Sequence, residues 1–254
     1  MSIVARRLAQ AKQDKAGQKK QGVQAKPATA VTEKAAAAPF RTGVMKEFDM
    51  FNIAMESDLA QLKQFKTLEE KSQYKAEAIR INDYLGYVSR YIESGANHPN
   101  AVLTWLVIWL VDLGRWDEAL KFLPLLVEQQ QHLPPQFNTK DWPTFFIDQL
   151  YDEGARQLDK AKDTLELVWL KEVIRWFYVL IGFIEQKQLT GNDIVFGKLY
   201  AMACKLEESR FNYGNALHHG ITATKINDKA GVKGLVRDIA KKLGQEEQVN
   251  ELLK

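Results

Sequence analysis

The most regular feature of the chain is a spacing of apolar residues that begins at Val44. Val44, Phe48, Phe51, Met55, Leu62 and Phe65 follow a 4-3-4-7-3 interval. This is a heptad seam with one slot filled by Asp58, and Leu59 stands beside it. Thr67-Leu68-Glu69-Glu70 then has the form of a capping box, in which Thr67 accepts from the first turn and Glu70 reaches back. Beyond it Tyr74, Ala78, Ile81, Leu85, Val88 and Ile92 follow 4-3-4-3-4 without interruption. Two heptad helices with a short connection predict an antiparallel, coiled-coil-like hairpin, closed by the helix stop Ser94-Gly95-Ala96-Asn97. So thin a hairpin must cover its seam, either against the rest of the chain or against copies of itself.

From residue 97 onward the periodicity predicts successive helices at about 99–113, 116–131, 143–158, 163–187, 192–208, 212–226, 229–243 and 245–253. The charge-free apolar run Val102 to Val111 is too short to span a bilayer and is expected to be a buried helix. Pro134, Pro135 and Pro143 mark the longest loop, and no alternating strand pattern or hairpin turn is found. Leu113-Gly114-Arg115-Trp116-Asp117-Glu118-Ala119-Leu120 looks like the turn of a tetratricopeptide helix pair. Phe211 to Leu217 repeats it loosely, with Ala216 at the place of Ala119. Their separation of 97 residues is not a multiple of the repeat's 34, so stacked helical pairs are expected without a regular array. The expected fold class is all-α: a disordered basic arm at 1–42, the hairpin at 43–96, and a multi-helix, tetratricopeptide-like domain at 97–254.

Charge adds an asymmetry to this pattern. Residues 1–40 hold eight basic groups and two acids, +6, and the other 214 residues hold 27 and 30, or −3. The arm is rich in Ala, Gln, Lys and Thr, with no aromatic residue before Phe40. Such a segment buries too little apolar surface to offset its ordering entropy. A slightly acidic body with a basic arm points to a polyanionic partner.

The candidate chemistry is sparse. Gly191 to Lys198 resembles a phosphate loop, but it has five residues between its glycines where the motif needs four, and Leu199 stands where Ser or Thr belongs. A helix start capped by Thr190 or Asn192 accounts for it better. His218 and His219 point about 100° apart on a helix and cannot easily share a metal; with His98 and His132 they read as surface or interface residues. Trp105, Trp109, Trp169 and Trp176 sit in apolar runs and read as core. No catalytic or cofactor-binding motif is present, so no enzyme activity, cofactor or metal is expected. The lone Cys204 excludes a disulfide framework, no secretory signal opens the chain, and a reducing cytosol fits both.

Three basic groups are candidates for phosphate contact. The arm offers Arg6, Arg7, Lys12, Lys15, Lys19, Lys20, Lys26, Lys34 and Arg41. The hairpin tip offers Lys63, Lys66, Lys71 and Lys75, with Arg80 nearby, diluted by Glu69, Glu70 and Glu77. A second basic face is formed by Lys229, Lys233, Arg237 and Lys241, with Lys225 at the same four-residue spacing; this suggests one helical stripe opposite Val232, Leu235, Val236, Ile239 and Leu243.

The order of these features carries a resemblance. It runs from the basic arm through Asp58–Lys66 and the hairpin ending at Ser94-Gly95. Thr104-Trp105-Leu106-Val107-Ile108-Trp109-Leu110-Val111-Asp112-Leu113-Gly114-Arg115-Trp116-Asp117-Glu118-Ala119-Leu120 follows, then Lys229-Ala230-Gly231-Val232-Lys233. Most of residues 44–243 resembles the small terminase subunit of temperate contractile-tailed bacteriophages. The resemblance implies a non-catalytic, ring-forming homo-oligomer in the host bacterial cytoplasm. Such a protein binds viral double-stranded DNA at the packaging site, recruits or regulates the large subunit that carries ATPase and nuclease, and has no membrane role. It also implies that the seam residues Val44, Phe48, Phe51, Met55, Leu62, Phe65, Tyr74, Ile81, Leu85 and Val88 pack between subunits. The segment around Leu243 to Leu253 is expected to dock the large subunit. Small terminases often begin with a helix-turn-helix, which this sequence does not show, so the DNA-reading element stays open. The rival reading is a tetratricopeptide-like adaptor that binds only protein.

Overall fold

The computed structural model describes residues 43–139, 141–164 and 167–253, with side chains described outside 43–45, 162–164 and 167–169. The arm cations Arg6, Arg7, Lys12, Lys15, Lys19, Lys20, Lys26, Lys34 and Arg41 lie outside the described residues, as does the Val44 side chain. The described residues are helical, in the order α1 (Gly43–Leu62), α2 (Leu68–Ile81), α3 (Tyr84–Glu93), α4 (Ala101–Asp112), α5 (Trp116–Glu128), α6 (Trp142–Thr164), α7 (Leu167–Glu185), α8 (Asp193–Ser209), α9 (Tyr213–Ile226), α10 (Lys233–Leu243) and α11 (Glu246–Leu252). The chain divides into two compact units, Met1–Trp109 and Leu110–Lys254.

In the first unit α1 packs on α2 and α3. The capping box forms as expected: Thr67 Oγ1 accepts from Glu70 N–H at 3.1 Å, and Glu70 Oε2 accepts from Thr67 N–H at 3.0 Å. The uninterrupted second helix of the hairpin does not form. It breaks after Ile81, where Asp83 takes a left-handed conformation (φ 53°) and α3 starts in a new direction. Gly86 makes this corner feasible, because a Cβ there would strike the Asp83 carboxylate. The heptad spacing continues across the break, but its side chains do not share one face. Ile81 and Leu85 are half-buried and Ile92 is 42% exposed, whereas Tyr84, Tyr87 and Tyr91, which lie off the seam, are buried.

The cause is Asp58, the polar residue in the seam. Its carboxylate is 1% exposed. It accepts from Tyr74 Oη at 2.8 Å, Asn82 Nδ2 at 2.7 Å and Tyr84 Oη at 2.6 Å. Burial of a carboxylate is costly unless donors replace its water. Two of these three donors flank the break, so satisfying Asp58 requires the corner. Aromatic rings pack around this hub: Phe51 stacks on Tyr87 at 4.5 Å, and Tyr84 meets the Trp109 ring edge-on at 6.1 Å.

The second unit is built from helical pairs. α8 packs on α9, α9 on α10, α6 on α7 and α8, and α5 on α7. The loose repeat seen in the sequence is a shared turn geometry. Gly114 (φ 69°) and Phe211 (φ 61°) each end a helix in left-handed conformation. Gly114 and Arg115 donate to the carbonyls of Val111 and Leu110 at 2.9 and 2.8 Å. Phe211 and Asn212 donate to those of Glu208 and Glu207 at 2.9 Å. Both are Schellman ends. Five residues on, Ala119 and Ala216 are fully buried, as the matched spacing suggested. Val102 to Val111 is buried apart from Trp105, which is half-buried.

Candidate nucleic-acid interface

The cap at Thr67 fixes where α2 starts, and so where the basic residues at this end of the first unit stand. Lys63 and Lys66 lie exposed in the connection between α1 and α2, Lys71 and Lys75 are half-buried one turn apart on α2, and Arg80 is exposed near its end. Lys63, Lys66, Lys71 and Arg80 form no ion pair among the described residues. Of the acids that dilute the cluster, Glu70 is committed to the cap. Amide donors from Thr67 and Lys66 hold its carboxyl below the usual range. Unpaired ammonium and guanidinium groups on an exposed corner keep their full capacity to displace counterions from a phosphate backbone.

The second basic face is less continuous than its spacing suggests. Lys225 ends α9 and Lys229 lies in the following turn, so only Lys233, Arg237 and Lys241 share α10, at successive turns. Lys233 is paired with Asp228, while Arg237 and Lys241 are exposed without an ion-pair partner among the described residues. The opposite face of α10, Val236, Ile239 and Ala240, is buried, as is Val232 just before it.

The expected oligomerisation residues divide by burial. Phe51, Met55 and Val88 are 8%, 1% and 0% exposed within the first unit. Phe48, Leu62, Phe65, Tyr74, Ile81 and Leu85 are half-buried. Phe48 meets His98 edge-on at 4.9 Å, and Phe65 lies 5.2 Å from Tyr74.

A polar cluster in the second unit, in which Glu207 and His219 are buried while Tyr178 stays 37% exposed, has no forerunner in the sequence reading. Tyr178 Oη donates to Glu207 Oε1 at 2.5 Å, and Arg210 donates to Glu207 Oε2 at 3.1 Å. Asn215 Nδ2 donates to Tyr178 Oη at 3.1 Å, and His219 Nε2 lies 3.3 Å from it. Because the phenol gives its proton to Glu207, Nε2 carries the imidazole hydrogen; Nδ1 is then a buried acceptor without a partner. Burial pushes the His219 pKa down to about 4 and lifts the Tyr178 phenol to about 12. His219 is therefore core, contrary to the surface role expected of it, whereas His218 beside it is exposed. No sequence signal marked Glu207, which stands in the charged last turn of α8 beside Lys205 and Glu208. Burial also lifts the Cys204 thiol to about 12. The phosphate-loop look-alike is a helix start: Asn192 caps α8, accepting from Ile194 N–H at 2.7 Å, and Lys198 pairs with Asp148 at 2.7 Å. Trp109, Trp116 and Trp142 are buried. Among the described residues, no three His, Cys, Asp or Glu side chains gather to hold a metal ion, and no helix is long and apolar enough to cross a membrane.

The model of the phage small terminase subunit family matches residues 52–178, half of the chain. The chain belongs to this family. The matched residues run from α1 to Tyr178 in α7, so they take in the basic corner, the Asp58 hub and the first Schellman turn. A curated relative, "Probable terminase, endonuclease subunit" of Haemophilus phage HP1 (strain HP1c1), is 29% identical over 106 residues. That match covers 42% of this chain and 37% of the relative, so the chain spans little more than a third of the relative's length. Among solved structures, MamA 41-end from Desulfovibrio magneticus RS-1 aligns over 81% of this chain and 90% of its own. Its identity is 13% and its TM-score 0.34, a likeness too loose to carry an argument.

Proposed function

We propose that this small terminase subunit binds viral double-stranded DNA at the packaging site and recruits or regulates the large ATPase and nuclease subunit, without catalysing a reaction itself. The observation that carries the DNA reading is the distribution of net charge along the sequence: +6 in residues 1–40, against −3 in the remainder. Exposed Lys63 and Lys66 before α2, half-buried Lys71 in its first turns and exposed Arg80 near its end add to it. The arm supplies sequence-independent affinity through Arg6, Arg7, Lys12, Lys15, Lys19, Lys20, Lys26, Lys34 and Arg41, and the corner supplies fixed phosphate contacts that set orientation. Assembly into a homo-oligomeric ring gathers many arms, so that weak contacts gain avidity. The protein acts in the host bacterial cytoplasm, with no membrane partner. Exposed Leu243 and Leu252, at 38% and 45%, favour the C-terminal segment as the docking site for the large subunit.

The test is DNA binding by the intact chain and by a chain lacking residues 1–41, followed by fluorescence anisotropy across a salt series. Affinity falls with salt at a slope near −0.9 per phosphate neutralised in duplex DNA. Loss of the arm lowers the affinity and flattens the slope; an unchanged slope would remove the arm from the account. A second reading comes from the relative's name: a nuclease activity in the chain itself. Divalent-metal-dependent cleavage of plasmid DNA by the purified chain would favour it.

A further inference from the structure

The side of α1 that faces away from its own core carries apolar residues left exposed among the described residues. Phe51 and Met55 point inward, at 8% and 1% exposure, yet Met50 and Ile53 are 41% and 66% exposed. Lys46, Met50, Ile53 and Ala60 lie on one stripe, all exposed, with exposed Glu56 along its edge. Scattered single apolar residues on a surface need no explanation, but two large ones a turn apart on one helix form a short docking stripe.

We propose that this stripe is a self-association face, on which α1 of one copy packs antiparallel against α1 of a second. The stripe is self-complementary in that direction. When Met50 is set level with Ile53 of the second copy, residue numbers across the contact sum to 103. Lys46 then stands within one residue of the level of Glu56 on the opposite helix, and the same pair recurs by two-fold symmetry. In a parallel, in-register arrangement Lys46 would face Lys46 and Glu56 would face Glu56. Like charges in register oppose association, and opposite charges select the antiparallel pairing. An isologous contact of this kind closes on two copies, so a ring needs a further, heterologous contact. One pair of short stripes is a small interface, and its association belongs to the tens-of-micromolar range rather than the nanomolar.

The inference rests on the assembly of the chain, and the experiment separates the two. Sedimentation of the full chain is followed from about 1 to 200 μM for the wild type, Ile53→Asp and Met50→Asp, with circular dichroism as the check on folding; both positions are exposed. The aspartates should weaken association at least tenfold. Separately, a size-tagged Met50→Cys chain is mixed with an untagged Ile53→Cys chain under glutathione oxidation, with Gln73→Cys on exposed α2 as control. The one natural cysteine, Cys204, is buried. The antiparallel contact gives mixed 50–53 disulfides in excess of either homodisulfide. Dominant homodisulfides, or crosslinking no greater than the control, overturn the proposal. If wild type and aspartate variants associate equally, the α1 face is wrong and assembly stands. A wild type that stays monomeric at 200 μM defeats both.

Discussion

Replacing Asp58 by Leu would complete the heptad seam, and its outcome separates two accounts of the first unit. If the seam governs, an apolar residue in the open slot stabilises the hairpin. If the carboxylate governs, the substitution removes the acceptor for three donors. Tyr84 is 0% exposed and Asn82 3%, so neither can turn to water; Tyr74 is half-buried and can. A buried donor left unsatisfied costs about 1–3 kcal/mol, so two cost about 2–6 kcal/mol. Burial of the leucine side chain returns about 2 kcal/mol at most. Set against the midpoint cost of about 4 kcal/mol, this leaves an expected net destabilisation of about 2 kcal/mol. That is a large fraction of a domain's usual ~5–15 kcal/mol. Asp58→Ala lacks the returned burial and should cost about 3–5 kcal/mol. Asp58→Asn keeps the shape and one acceptor but turns a donor toward a tyrosine hydroxyl, and should cost about 1–2 kcal/mol. Urea titration followed by circular dichroism measures all three. The rank Asn, then Leu, then Ala is expected. A leucine variant as stable as the wild type, or more so, would refute the hub and restore the seam.

Three further outcomes follow from the second unit. His219 has a folded pKa near 4 against an ordinary 6.5, so its contribution to stability is complete above about pH 6.5 and is lost as pH falls toward 4. Between pH 7.5 and 4.5 the loss is on the order of 2–3 kcal/mol, and urea midpoints of wild type and His219→Gln should converge as the pH falls; a constant gap would exclude this linkage. Gly220 lies where α9 crosses its neighbours, and a Cβ there would collide with Val236 and stand 3.0 Å from the Cys204 sulfur. Gly220→Ala should therefore lower stability by about 1–3 kcal/mol, read as a fall in Tm. Lys187 ends α7 with φ 57°, donating to the Ile184 carbonyl at 2.9 Å, so Lys187→Gly should raise stability by up to about 1 kcal/mol in the same assay.

Helix positions were legible because amphipathic periodicity and end signals agree. Thr67 and Glu70 made their cap, and the matched turns at Gly114 and Phe211 place Ala119 and Ala216 in the core. The corner at Asn82–Asp83 was not legible from spacing. A 4-3-4 interval reports that a helix has a stripe, not that one straight helix carries it, and the interval runs unbroken through the bend. The clue lay in composition: a carboxylate in an apolar seam, with Tyr74, Asn82 and Tyr84 within reach and a glycine at 86. The basic corner was legible because an exposed lysine cluster needs no tertiary knowledge. The α10 stripe was only partly so, since a four-residue spacing from Lys225 to Lys241 does not show that a turn at 227–232 interrupts it. Met50 and Ile53 were hidden because a sequence marks a residue as apolar without marking what covers it.

The central claim, that this small terminase subunit binds packaging-site DNA with a basic arm and corner supplying much of the affinity, is tested most directly by a gel-shift titration of the full chain. Packaging-site DNA and unrelated duplex of equal length are compared at about 50 and 200 mM salt. The account predicts binding to both at low salt, a steep loss on the unrelated duplex at high salt, and retention on the packaging site. Equal loss on both DNAs, or no shift at low salt, would contradict it.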